Sequence, residues 1–133
     1  MQRFFRLSLL SVFLSFSAAT ASAQLETLKR TTPEQRATAQ SDFLQKELGL
    51  EASQAEAVAA ISLATAREAE PILKGSGSRF SIGRELRRIS GERDQKLKTI
   101  LSAEQWKHYA SVKDKMKESV LTRLEKEAGS GTD

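Results

Sequence analysis

Chemistry at a protein site needs a positioned base, a nucleophile or a set of ligands, and this sequence is short of all three. It contains no cysteine, and His108 is its one histidine. Nucleophile-plus-base arrangements normally draw on a histidine, and metal-assisted chemistry on several ligands held together. No glycine-rich stretch has the spacing of a phosphate-cradling loop. Glu104 and His108 stand four apart, which puts them side by side on a helix and reads as a surface contact rather than a metal site. We expect no catalytic residue, metal or cofactor, and a protein that is not an enzyme.

What remains is cationic and aromatic. Phe80 is followed by Arg84 and Arg87, which share its side of a helix, with Arg88 on the flank. An exposed aromatic ring beside guanidinium groups suits flexible polypeptides and anionic surfaces alike. The competing reading is that Phe80 packs back onto its own protein. Arg93, Lys113 and Lys117 interrupt otherwise apolar stripes. Either these faces are open, mixed surfaces that hold clients by apolar area plus steering, or the long stems reach past the edge of a core and pair with acids of another helix. These seven residues are the candidate client-binding positions. Trp106 and Tyr109 are assigned to a core or a dimer interface. Charge is also uneven: residues 24–70 hold five basic and eight acidic groups, whereas residues 71–133 hold fourteen and nine. The second half is the side expected to meet acidic partners.

The elements that must position these residues are helices. The chain has two prolines in 133 residues and is rich in Ala, Glu, Lys, Arg and Leu. Leu101 closes one apolar pattern and Ser102 opens another, with Gln105 placed to complete a capping box. Trp106, Tyr109, Met116, Val120 and Leu124 then recur on one helical side. Thr32-Pro33-Glu34-Gln35 has the same grammar with Pro at the first helical position. Leu50-Glu51-Ala52-Ser53-Gln54 keeps Leu and Gln but puts Glu at the cap. Helices are expected over Thr32–Leu48, Ala52–Ile72, Ser81–Leu101 and Ser102–Glu127. Their stripes are Ala37, Leu44 and Leu48 in the first; Val58, Ile61, Thr65, Ala69 and Ile72 in the second; and Ile82, Leu86, Ile89, Leu97 and Ile100 in the third. Gly49 fits a left-handed helix cap, and Lys74-Gly75-Ser76-Gly77-Ser78 a flexible turn. Residues 24–31 read as a flexible lead-in and 128–133 as a fraying tail.

The chain begins as an exported protein does. Arg3 and Arg6 precede an apolar run from Leu7 to Phe16, and Ala21-Ser22-Ala23 forms a small-residue cleavage site, so residues 1–23 read as a secretory signal cut after Ala23. The run is shorter than the ~20 residues of a membrane span, and an uncleaved anchor is the alternative. Cleavage would lower the net charge from +4 to +2 by removing Arg3 and Arg6.

Leu101-Ser102-Ala103-Glu104-Gln105 resembles the LTxxQ motif of the Spy/CpxP-like family of small periplasmic proteins, with Ser for Thr. Leu50-Glu51-Ala52-Ser53-Gln54 resembles a degenerate second copy about fifty residues earlier. The motif positions are thus Leu50, Gln54, Leu101, Ser102 and Gln105, and the resemblance covers most of residues 31–127. It implies an all-α fold of about four helices in a thin elongated hairpin, paired as a homodimer into a Spy-like cradle over residues 32–127. A small chain with few large apolar side chains has its own reason to dimerise. The resemblance also implies a periplasmic, ATP-independent chaperone that binds unfolded or partly folded envelope proteins and limits their aggregation. The alternatives are a CpxP-like regulator, whose partner is the periplasmic domain of an envelope-stress sensor kinase, and a structural envelope protein. Nucleic acid is not an expected partner, and the His-rich segments of metal-sensing relatives have no counterpart here.

Overall fold

The computed structural model describes residues 17–131, and within them the chain is all-α, with five helices and no strand. They are α1 (Ser17–Arg30), α2 (Pro33–Leu48), α3 (Ala52–Lys74), α4 (Arg79–Ile100) and α5 (Ala103–Gly129). The charged start and apolar run of the expected signal lie outside the described residues. Its small-residue end does not: Ala21, Ser22 and Ala23 belong to α1.

Among the described residues the count of about four helices is therefore corrected to five, and the added one runs from the end of the expected signal through the stretch expected to be a lead-in. Short apolar spacing hid it. Leu25 and Leu28 are its only large apolar residues after the small-residue segment, too few to show a period, yet both pack against a core cluster. Thr27 and Thr31 are buried because each hydroxyl turns back to its own helix, Thr27 to Ala23 O and Thr31 to Thr27 O and Leu28 O. At the other end, the expected tail is also partly helical, since α5 runs on to Gly129.

The caps fall where the residue types demand. Thr32 and Ser102 accept the third amide of their helices while Gln35 and Gln105 reach back to the cap amides. Ser78 does the same one-sided service for α4 through Ser81 N–H. Gly49 ends α2 at φ 57° and ψ 49°, a left-handed conformation that any side chain would strain, and its amide closes on Gln45 O.

Helix α2 lies between α3 and α5, α3 packs on its other side against α4, and α1 closes against α5 and α3. Two apolar clusters result. The larger joins Leu44 and Leu48 of α2, Val58 of α3, Leu97 of α4, Leu101 of the break, and Tyr109 and Met116 of α5. The smaller joins Ala69 and Leu73 to Ile89, and α1 covers it with Leu25 and Leu28. Most of the expected stripes are inside; in α3, Val58 and Ala69 are buried as expected, but the other three positions are displaced by one residue. Ser62, Ala66 and Leu73 are buried, whereas the expected Ile61, Thr65 and Ile72 are half-buried. Helix α3 is sandwiched between α2 and α4, so Ser62 and Ala66 meet neighbours at close range and Ile61 and Ile72 fill the margins.

Candidate functional site

The two motif glutamines form one object. Gln54 Oε1 accepts from its cap amide Glu51 N (3.1 Å), and Gln105 Oε1 from its cap amide Ser102 N (2.9 Å). Each Nε2 then crosses to the other turn: Gln54 donates to Ile100 O at the end of α4 (3.2 Å), and Gln105 to Leu48 O at the end of α2 (3.3 Å). The carboxamides also pair with each other, at 2.8 and 3.1 Å. Both donors and both acceptor positions of each amide are thereby used. Leu101 is buried beneath this clasp and Leu50 is half-buried against the same cluster. The motif residues thus join the α2–α3 turn to the α4–α5 break, and the chemistry they perform is structural.

A second polar cluster bridges α4 and α5, and sequence reasoning missed its centre. Asp94 is buried, and its Oδ1 accepts from Tyr109 (2.6 Å) and from Arg93 through Nε and Nη2 (3.2 and 3.0 Å). Arg93 Nη2 also reaches Tyr109 Oη at 3.1 Å, and Lys113 pairs with the other Asp94 oxygen. Burial opposes the Asp94 charge, but hydrogen bonds from Lys113, Tyr109 and Arg93 outweigh it and hold the carboxyl below its ordinary value. Burial pushes the Tyr109 hydroxyl up, so it remains a proton donor throughout the ordinary pH range. The available signal was Arg93 followed by Asp94 within an apolar stripe, with Tyr109 and Lys113 one helical turn apart on the next helix.

Arg36 makes a third such junction that sequence reasoning missed. It is 8% exposed and donates to Leu28 O (2.9 Å), Thr31 O (2.6 Å) and Ala66 O (3.4 Å), and it pairs with Glu70. Burial raises the Glu70 pKa, but Arg36 and then Lys74 hold it below the ordinary range. One guanidinium therefore seals the α1–α2 bend against α3.

The seven candidate client-binding residues are not brought together. Phe80 is 79% exposed, Arg84 stands 5.9 Å from its ring centroid, and Arg87 is exposed on the same side of α4. Arg88 is exposed but engaged with Glu68, Glu85 and Glu92. Arg93 is corrected from surface to interior: it is 8% exposed and committed to Asp94 and Tyr109. Lys113 keeps a partly exposed stem, but its ammonium is held by Asp94 and lies 5.8 Å from the Tyr109 ring. Lys117 is exposed on α5, a different helix from the one that carries Phe80. Farther along α4, Lys98 lies 5.6 Å from the ring of Trp106, which is half-buried at the margin of the larger cluster. Tyr109 is in the core, as expected.

His108 does not pair with Glu104 as its spacing implied. It faces Glu47 of α2 at 3.3 Å, alongside Lys115 at 2.5 Å. Those two hydrogen bonds, Lys115 first, lower the Glu47 pKa. No group of three or more His, Cys, Asp or Glu among the described residues has the arrangement of a metal site. No described helix is long and apolar enough to cross a membrane. The family models, the curated proteins and the solved structures contain no match to this chain.

Proposed function

We propose that this chain is a secreted, periplasmic chaperone of the Spy-like kind, which holds unfolded or stressed envelope proteins without ATP. The observation that carries the reading is the outward side of α4 and its junction with α5. There, Phe80 is almost fully exposed beside Arg84, and Lys98 stands over the half-exposed edge of Trp106. Aromatic area interleaved with cations binds flexible chains shallowly and reversibly, because no deep pocket must be filled and charge steers the approach. A client that folds withdraws its apolar side chains and leaves. The two copies of the LTxxQ-like motif support the family likeness, and the cradle-shaped homodimer belongs to the same proposal. Regulation of a sensor kinase is the second outcome that the test below separates.

The test is light scattering from a chemically unfolded protein as it aggregates, with increasing amounts of the chain from Gln24 and at low and high salt. Suppression near equimolar amounts that weakens with salt is the expected result. No suppression at any ratio overturns the reading. Capture of one saturable envelope partner would then mark a regulator. Sedimentation equilibrium reads the dimer directly.

A further inference from the structure

The end of the molecule where α3 turns into α4 differs from the rest. Residues 74–80 are seven consecutive exposed positions, and they end in Phe80, the exposed large apolar side chain of the described structure. From Lys74 to Arg88 there are five basic residues and one acidic, so this corner alone carries the +4 of the whole chain. Lys74 and Arg88 are engaged by carboxylates. Arg84 and Arg87 are exposed, and no carboxylate among the described residues pairs with them. Ile82, by contrast, is buried, so Phe80 is turned away from the core rather than left over from it.

The early part of α1 lies at the same corner. Ser22, near the beginning of α1, accepts a hydrogen bond from Arg79, which places the entry of α1 beside Phe80. The apolar run Leu7–Phe16 immediately precedes that helix in sequence.

We propose that this corner docks on an anionic phospholipid bilayer, with Phe80 entering the headgroup boundary and Arg84 and Arg87 seated on lipid phosphates. Three features favour lipid over a protein partner. A stable protein interface covers about 800 Å² on each side, whereas this corner offers one large apolar side chain in a run of seven exposed positions. Two clefts among the described residues run along α2 and α5, lined by residues such as Lys115, Ser119 and Arg123, and none of their lining residues belongs to the corner. A single aromatic flanked by unpaired arginines matches the layered chemistry of a bilayer surface, apolar beneath and negative above. Arg79 adds a further cation once cleavage after Ala23 removes Ser22. Docking this way takes Phe80 and Arg84 out of the proposed client surface and leaves Lys98, Trp106 and α5 for polypeptide, so the lipid reading stands or falls on vesicle binding and not on the chaperone reading.

The experiment is vesicle co-sedimentation. The chain from Gln24 is used so that the apolar run contributes nothing; every buried residue among the described side chains lies at Thr27 or beyond, so this chain retains its core. It should pellet with vesicles of phosphatidylglycerol in phosphatidylcholine, not with phosphatidylcholine alone, and binding should weaken as salt is added. Arg84→Glu with Arg87→Glu should weaken binding about tenfold or more, and Phe80→Ser should weaken it about threefold or more. The charge-matched Lys46→Glu with Lys107→Glu, both exposed on other helices, should stay within about twofold. Circular dichroism confirms that the variants remain helical. Absence of wild-type binding to the anionic vesicles, or equal binding by the Arg84/Arg87 variant, overturns the proposal. If those arginine changes abolish aggregation suppression in a protein that binds no vesicles, the corner belongs to polypeptide clients and the lipid reading falls. If the wild type binds vesicles but suppresses no aggregation, the lipid reading stands and the chaperone reading falls.

Discussion

Asp94 shows how one residue can hold two helices that barely pack. Helices α4 and α5 meet through long side chains rather than close backbones, and Asp94 collects Arg93, Tyr109 and Lys113 at that seam. A buried carboxylate with several donors stabilises only while ionised; neutralised, it leaves Arg93 inside without its counter-charge. Asp94→Asn should therefore cost about 2 kcal/mol near neutral pH, read as a lower midpoint in chemical denaturation. The sign with pH follows from the depressed pKa. The folded chain holds this proton less tightly than the unfolded chain, so the contribution is complete above the ordinary value of 3.8 and drains as pH falls through the lower folded value. Glu70, depressed by Arg36, adds to the same acid loss. Thermal melts from about pH 5 to about pH 2 should fall steeply for the wild type and less steeply for Asp94→Asn. Parallel pH profiles would show that Asp94 is not the group responsible.

The reciprocal glutamines make the turns a single element. Helix starts were legible in the chain because Thr32, Ser102, Gln35 and Gln105 act within three residues of each other, and local rules govern local bonds. The Gly49 cap was legible for the same reason. That Gln54 and Gln105 also cap each other's preceding helices was not, because those bonds span 46 to 57 residues of sequence. The same distance hid Arg36–Glu70 and the pairing of His108 with Glu47. Arg93 looked like a break in an apolar stripe although its neighbour Asp94 was in view, because Tyr109, the buried hydroxyl that completes the group, comes from the next helix. The clasp predicts coupling. Gln54→Ala and Gln105→Ala should each cost about 2 kcal/mol, and the double variant should fall short of their sum by about 1 kcal/mol, since either loss already breaks the amide pair. Strictly additive denaturation midpoints would reduce the clasp to two independent caps.

On the scale of the whole molecule, the sequence pattern made the all-α class and four of the five helices among the described residues readable, and missed the one that packs against both α3 and α5. Helix α1 lies against both α3 and α5, and its Leu25 and Leu28 cover a small cluster whose buried members are Ala69, Leu73 and Ile89, with Ile72 and Leu86 at its margin. The larger cluster around Leu44, Leu97 and Tyr109 has no α1 residue in it. Two cores of such different size should not open together, because local stability follows the apolar contacts that each region retains. A chain begun at Gln24 keeps Leu25, Thr27 and Leu28, whereas one begun at Thr32 loses them and strips Arg36 of Leu28 O and Thr31 O. We expect the first to match the full chain in its helical core and the second to lose about 2–4 kcal/mol. Hydrogen exchange locates the loss. Amides around Leu73 and Ile89 should exchange much faster in the shorter chain, while those around Leu44, Leu97 and Tyr109 stay protected. Uniform acceleration across both clusters would mean that the molecule opens as one cooperative unit, with α1 supporting all of it.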